Sequence, residues 1–256
     1  MTSTASAEPL SQRTFVGTSA LLFAVSAALT VRLCASMSAM GEMPMPGGWS
    51  MSMTWMRMPG QTWVGAAVAF VGMWIVMMLA MMLPSLVAAL RCCRDRLTAL
   101  VAIGYFFVWT VVGLVAFPFG VMVTTIAMQQ PALARAVPST IGLIVLVAGA
   151  FQFSEPKVRH LECCRKTPEP IGAPPMNVYQ AVGRGIRLGL HCCYCTAGYT
   201  AILLVAGVMD LRAMALVTAA ISAERLAPSA QRVSRALGVL LTAAGLFLVA
   251  RAGWVG

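Results

Sequence analysis

The chain has 256 residues, of which 59% are hydrophobic and only 10% are charged. A water-soluble domain carries about 25% charged residues, so the composition excludes an ordinary soluble globule and predicts an all-α, polytopic helical bundle in a lipid bilayer. The net charge of +10 does not indicate a nucleic-acid partner, because basic residues collect in the cytoplasmic loops of membrane proteins.

Long, strongly apolar stretches predict about six transmembrane helices in a single membrane domain, residues 15–256. They lie at residues 15–36, 63–90, 99–128, 133–153, 195–223 and 234–252. Asp210 and Arg212 interrupt the fifth. Residues 1–14 are small and polar, which predicts a disordered N-terminus.

The basic loops predict how the bundle is oriented. Loops 91–98 and 154–193 are rich in Arg and Lys and are predicted to face the cytoplasm. With six spans, both termini would then lie inside, in a bacterial inner membrane. Arg225, Arg232 and Arg235 in the last loop argue against this orientation.

The first outer loop, residues 37–62, is rich in methionine. It holds eight of the 19 methionines of the chain, interleaved with Pro and Gly that disfavour a regular helix or strand. Thioethers bind Cu(I) without a deprotonated ligand, so this loop is a candidate for metal capture. The alternative is a segment lying on the bilayer surface with Trp anchors. The candidate ligands are Met43, Met45, Met51 and Met53.

The second span carries a dense methionine stripe. Residues 73, 77 and 81 share one helical face, and residues 74, 78 and 82 share the neighbouring face. Methionine can simply fill gaps in a helical core. It can also present soft ligands to Cu(I) inside the bundle. The candidate ligands here are Met77, Met78, Met81 and Met82.

The inner loop, residues 154–194, is rich in Cys, His and Pro, and leads into a Cys-x-x-Cys sequence. His160 and Cys164 are one helical turn apart, as are His191 and Cys195. A metal site at the membrane edge is the favoured interpretation, against free thiols beside a solvated basic turn. A thioredoxin-like site lacks its βαβ context, and a catalytic thiol lacks an acid–base partner. The candidate ligands are His160, Cys164, His191, Cys192 and Cys195.

Four stretches together resemble a bacterial family, the predicted metal-binding integral membrane proteins, some of which are copper-chaperone-like. They are residues 74–85, 152–165, 192–195 and 207–225. His160 stands where the family commonly has Cys, and Cys164 matches the second Cys. Thr196 and Ala197 replace the Cys and Trp that continue the family pattern. The resemblance covers about residues 63–250, excludes the Met-rich loop, and implies metal binding.

Together these features predict a membrane protein that binds copper, as Cu(I), for capture, storage or delivery to a membrane cuproenzyme. Zinc is the less favoured ion. Two alternatives are an accessory subunit of a copper-dependent membrane monooxygenase and a metal transporter with Met and Cys stations. No Gly-x-x-x-x-Gly-Lys or HExxH motif is present, so the chain is not predicted to be an enzyme. The expected partners are the bilayer and a copper enzyme, without nucleic acid.

Overall fold

The computed structural model describes residues 7–39, 41–45, 49–57, 60–90, 97–165 and 177–255. This part of the chain forms eight helices and one short hairpin. The elements are α1 Ala7–Ala39, β1 Glu42–Met45, β2 Trp49–Ser52, α2 Trp63–Leu90, α3 Thr98–Gln129, α4 Pro131–Phe151, α5 Glu155–Arg165, α6 Val178–Ala206, α7 Leu211–Leu226 and α8 Ala230–Val255. The predicted all-α membrane bundle is confirmed.

Within the described ranges, six helices are long and apolar enough to cross a membrane. They are Thr14–Met37, Trp63–Val87, Thr98–Gln129, Pro131–Phe151, Val178–Ala206 and Ala230–Gly253. Five of them coincide with predicted spans. The N-terminal segment differs from the prediction, because α1 begins at Ala7 and residues 7–14 are therefore helical rather than disordered.

The fifth predicted span, residues 195–223, is wrong because the helix is interrupted within this apolar tract. Gly207 ends α6 with a φ of 119°, a conformation that favours glycine. The Asp210 carboxylate then caps α7 by accepting from the backbone N–H groups of Arg212 and Ala213. Helix α6 instead starts at Val178, within the predicted inner loop, and ends at Ala206.

The interruption between α6 and α7 determines the end of the bundle at which α8 begins. Helix α8 runs antiparallel to α4: Gly142 lies against Val249, and Gly238 lies against Gln152. The start of α8 is therefore beside the end of α4 and the neighbouring α5. We call this side of the bundle the α5 end and the opposite side the hairpin end.

The start of α1 and the end of α8 lie at opposite ends of the bundle. The last turns of α1 meet the first half of α2 at the hairpin end, where Cys34 approaches Met73 and Met77, so α1 begins at the α5 end. Helix α8 runs from the α5 end to the hairpin end. The six long helices alone would return the chain to its starting side, but α7 adds a further passage, from Asp210 at the hairpin end to Glu224 beside Lys157 of α5. The start of α1 and the end of α8 therefore lie on different sides, unlike the expectation that both termini share one side. The α7–α8 loop joins the other basic loops at the α5 end, which removes the conflict in the charge pattern.

Small residues allow the closest helix contacts. A Cβ on Gly185 of α6 would collide with the Val101 carbonyl of α3. A Cβ on Gly149 of α4 would lie 2.6 Å from the backbone nitrogen of Thr242 in α8. Glycine at such positions lets helix backbones approach closely in a membrane, where van der Waals packing drives association.

The Met-rich loop forms a hairpin where no strand was expected. Gly41 turns the chain with a φ of 83°, and the antiparallel register places Met43 opposite Met51. Pro44 is tolerated because a two-stranded sheet has only edge strands. The indole N–H of Trp49 donates to the Ala134 carbonyl at 2.9 Å, which fixes the hairpin to α4.

Candidate metal centre

The methionine stripe of α2 lies in the centre of the bundle. Met77, Met78, Met81 and Met82 are all buried, as is Trp74. The Trp74 indole N–H donates to the Trp109 carbonyl at 2.9 Å and ties α2 to α3. Core packing is therefore one role of this stripe, and the neighbours of each sulfur decide whether it has another.

A small void beside the stripe is lined by sulfur. Its lining includes Cys34 of α1, Met73 and Met77 of α2, and Met209 and Met214 from the start of α7 and the preceding loop. We call it the sulfur cavity. Its volume is about 10 Å³, near the lower limit of about 10–15 Å³ for one water molecule. The space therefore suits a single monatomic ion rather than a larger ligand.

The sulfur atoms already lie near coordination distances. Cys34 Sγ is 3.6 Å from Met209 Sδ and 3.9 Å from Met214 Sδ. With metal–sulfur bonds of about 2.3 Å, the sulfurs of a trigonal site lie about 4.0 Å apart. Both distances from Cys34 Sγ are thus within a few tenths of an ångström of the spacing in such a site.

The ligands around the cavity discriminate between metal ions by the charge of the ion as well as by its softness. Cys34 is 1% exposed, and a thiolate there with a Cu(I) ion and neutral thioethers forms a complex without net charge. A Zn(II) ion in the same place would leave an uncompensated positive charge among apolar helices, which is costly. Thioethers also prefer Cu(I) to harder ions. The residues present therefore fit Cu(I) best.

The break between α6 and α7 creates this cavity. The turn at Gly207 and the cap at Asp210 redirect the chain so that Met209 and Met214 both reach Cys34. Four of the five sulfurs were not among the predicted ligands. The sequence did show Met73 on the Met77 face, and a lone Cys34 in an otherwise plain apolar helix.

A second sulfur contact lies farther along α2, toward the α5 end. Cys192 Sγ is 3.8 Å from Met82 Sδ, and the Tyr105 hydroxyl donates to Cys192 Sγ at 2.8 Å. Cys195 is also buried. The four cysteines whose side chains are described, residues 34, 192, 193 and 195, are all free thiols.

The predicted inner-edge histidines meet each other. His160 of α5 and His191 of α6 face each other with their Nδ1 atoms 2.7 Å apart, and the Tyr194 ring packs on His160. The side chain of Cys164 lies outside the described residues. Among the side chains that are described, no three from His, Cys, Asp and Glu gather as a metal site.

The predicted ligands of the Met-rich loop are spread along the hairpin. Met43 is exposed and Met45 is half-buried. Met51 lies in β2 and Met53 begins a 3₁₀ turn, but their side chains are outside the described part of the structure.

A larger cavity of about 840 Å³ opens at the hairpin end. We call it the outer cavity. Trp49 and Trp55 of the hairpin region line one part of it, and the residues between α6 and α7 line another. Met209 lines both the outer cavity and the sulfur cavity. Met209 is thus shared by the linings of the two cavities.

A buried ion pair holds α5 against the bundle. Lys157 Nζ lies 2.9 and 3.0 Å from the two carboxylate oxygens of Glu224, and neither side chain is more than 3% exposed. The Tyr199 hydroxyl donates to the same carboxylate at 2.7 Å. Burial lowers the pKa of Lys157 below its usual range, while the Glu224 charge acts in the opposite direction.

The fold is thus a helical membrane bundle with a buried thiol–thioether cluster at its centre. The chain belongs to the PpoB2 family, described as a copper chaperone, which it matches over residues 71–248. The match begins inside α2 and ends inside α8, so it includes Met73, Met77, Met209 and Met214 but not Cys34. No curated protein and no solved structure matches the chain.

Proposed function

We propose that this protein carries Cu(I) in the sulfur cavity and delivers it to a membrane cuproenzyme. The observation that carries the proposal is the approach of Cys34 Sγ to Met209 and Met214 at 3.6 and 3.9 Å. Those distances suit a trigonal Cu(I) site. Membership in a copper chaperone family supports copper as the cargo and a carrier role without catalysis.

Copper would enter from the hairpin end. The methionines of the hairpin, including the exposed Met43, would collect the ion and pass it through the outer cavity. Met209 lines both cavities, so a rotation of this side chain would transfer the ion while keeping sulfur in contact with it. Met73 and Met77, which also line the cavity, would offer further thioethers to an ion moving along α2.

The basic loops favour placing the α5 end in the cytoplasm of a bacterial inner membrane. The hairpin would then face outward, where a secreted or membrane-bound copper enzyme could meet it. Lipid would cover the exposed apolar surface of α1 and α8, as on any spanning helix. The accessory-subunit alternative would instead need a partner protein on that surface.

The test is Cu(I) binding by purified, detergent-solubilised protein under anaerobic conditions, in competition with a chromogenic chelator. The test variant combines Cys34→Ser, Met209→Leu and Met214→Leu. Met→Leu in a core usually costs less than about 1.5 kcal/mol, so the variant should fold. We expect it to lose the cavity copper, with affinity reduced at least about 100-fold, equivalent to about 2.7 kcal/mol.

Met78→Leu is the matched control. Met78 is as buried as Met77 and lies on the same helix, but it does not line the sulfur cavity. It should bind copper like the parent protein. Unchanged binding by the triple variant would remove the sulfur cavity from the mechanism. Uptake of zinc in place of Cu(I) by the parent protein would contradict the choice of metal.

A further inference from the structure

His160 of α5 and His191 of α6 make a direct imidazole–imidazole contact at the α5 end. Their Nδ1 atoms are 2.7 Å apart and their ring centroids 4.9 Å apart. At that distance one ring donates its Nδ1–H and the other accepts, so both rings are bound through the same nitrogen. Each Nε2 is directed away from the contact.

This arrangement is close to that of a two-coordinate metal site. Metal–imidazole bonds of about 2.0 Å place the two nitrogens of a linear site about 4.0 Å apart. The rings would therefore have to separate by roughly 1.3 Å. Helix α5 is short and lies outside the spanning helices, so such a shift does not require a membrane helix to move.

Metal binding at this pair needs no loss of protons. The ring that donates would move its proton from Nδ1 to Nε2, which gives two neutral imidazoles with free Nδ1 lone pairs. Two neutral donors leave the charge of the ion unchanged. A monovalent ion is then favoured over a divalent one. The positive charge of Arg187 lies one turn before His191, and among the described side chains no Cys, Asp or Glu joins the pair to offset additional positive charge.

Soft donors lie between the His pair and the sulfur cavity. The residue after His191 is Cys192, whose sulfur lies 3.8 Å from Met82 Sδ. Met82 belongs to the same buried stripe of α2 that begins in the sulfur cavity with Met73 and Met77. Along α2, residues 77 and 82 are separated by about 7.5 Å of helix rise. Met82 and Cys192 would therefore offer a copper ion intermediate ligands between the two ends of the bundle.

We propose that His160 and His191 form a second Cu(I) site, two-coordinate and located at the α5 end. It would be filled from the sulfur cavity by way of Met82 and Cys192. This inference rests on the proposed Cu(I) function. It adds a second site to the molecule and a route for the ion between the two ends of the bundle.

The competing explanation is a hydrogen bond that only joins α5 to α6. Helix α5 is already held by the Lys157–Glu224 pair and its Tyr199 contact. Replacing a histidine by asparagine should therefore leave the helix in place. The variants His160→Asn and His191→Asn test the site, and Tyr194→Phe is the matched control, because it keeps the ring that packs on His160.

The measurement is copper stoichiometry after anaerobic Cu(I) loading of the full-length protein, with X-ray absorption at the copper edge. We expect two copper ions in the parent protein. We expect one ion in each His variant with sulfur ligands only, and two ions in Tyr194→Phe. The triple sulfur-cavity variant should retain one ion, bound by two nitrogens at about 2.0 Å. In detergent the partly exposed His pair can load directly from solution, without the route through the sulfur cavity.

Two results would overturn the inference. One is full copper retention by both His variants, and the other is an absence of nitrogen ligands in the loaded parent protein. Either would reduce the pair to a helix contact and leave the sulfur cavity unaffected. Loss of copper in the His variants alone, with none lost in the sulfur-cavity variant, would refute the proposed function and retain the His site.

Discussion

The buried ion pair between Lys157 and Glu224 allows a quantitative prediction. In Glu224→Gln the carboxylate is gone and the Lys157 side chain, 0% exposed, loses its counter-ion. Removing one partner of a buried pair typically costs about 3–5 kcal/mol, because an uncompensated charge remains. The folded variant can avoid that charge by releasing the Lys157 proton.

The pH dependence of the cost follows from this release. The unfolded chain holds the lysine proton up to a pKa of about 10.4, and each pKa unit is worth about 1.36 kcal/mol. At about pH 7.5 the cost is therefore about 4 kcal/mol, and at about pH 9.5 it is about 1 kcal/mol. The folded variant binds one proton fewer than the unfolded chain, so its stability rises with pH and is lost as pH falls.

The assay is equilibrium unfolding in mixed micelles, followed by tryptophan fluorescence at both pH values. Glu155→Gln is the matched control, on the same helix as Lys157. Its pair with Arg159 is about 80% exposed on both sides, and exposed pairs are worth about 0–1 kcal/mol. A cost for Glu224→Gln that is small, or that does not shrink at higher pH, would refute the reasoning.

Three further predictions test the packing and the topology. Gly185→Ala should destabilise the protein by about 1–3 kcal/mol by overpacking, whereas Gly183→Ala, where a Cβ has nothing within 4 Å, should not; equal melting temperatures would contradict the close α3–α6 contact. Trp74→Phe removes the hydrogen bond to Trp109 and should cost about 1 kcal/mol in unfolding experiments; an unchanged unfolding midpoint would contradict it. Compartment-sensitive reporters fused to the two termini should report opposite sides of the membrane, and matching signals would restore the six-crossing topology.

The sequence predicted most helices because each is a continuous apolar run, which has few alternatives in a bilayer. It failed at residues 195–223 because hydropathy averages over a break that is only a few residues long. Local signals for the break were present. Gly207 is a typical C-cap residue, and Asp210 is a typical N-cap, but the Asp was interpreted as an ionisable residue within a span.

The candidate site was less predictable because its ligands come from distant parts of the chain. Met77 was predicted from helical spacing on α2. Its neighbours Cys34 and Met209 are separated by 175 residues, and no local pattern reports that they meet. Similarly, His160 and His191 were each paired with nearby cysteines, while the fold brings the two histidines to each other.

Helix α1 supplies the one thiol of the sulfur cavity, although it lies outside the residues that match the family. It packs chiefly on α2, and most of its length faces outward. A copper ion held by Cys34 together with α2 and α7 would cross-link this helix to the rest of the bundle. Ligand bound only by the assembled form stabilises that form by mass action. Copper binding would thereby stabilise the packing of α1 on the bundle. The lipid-exposed surface of the copper-bound protein would then differ from that of the copper-free protein.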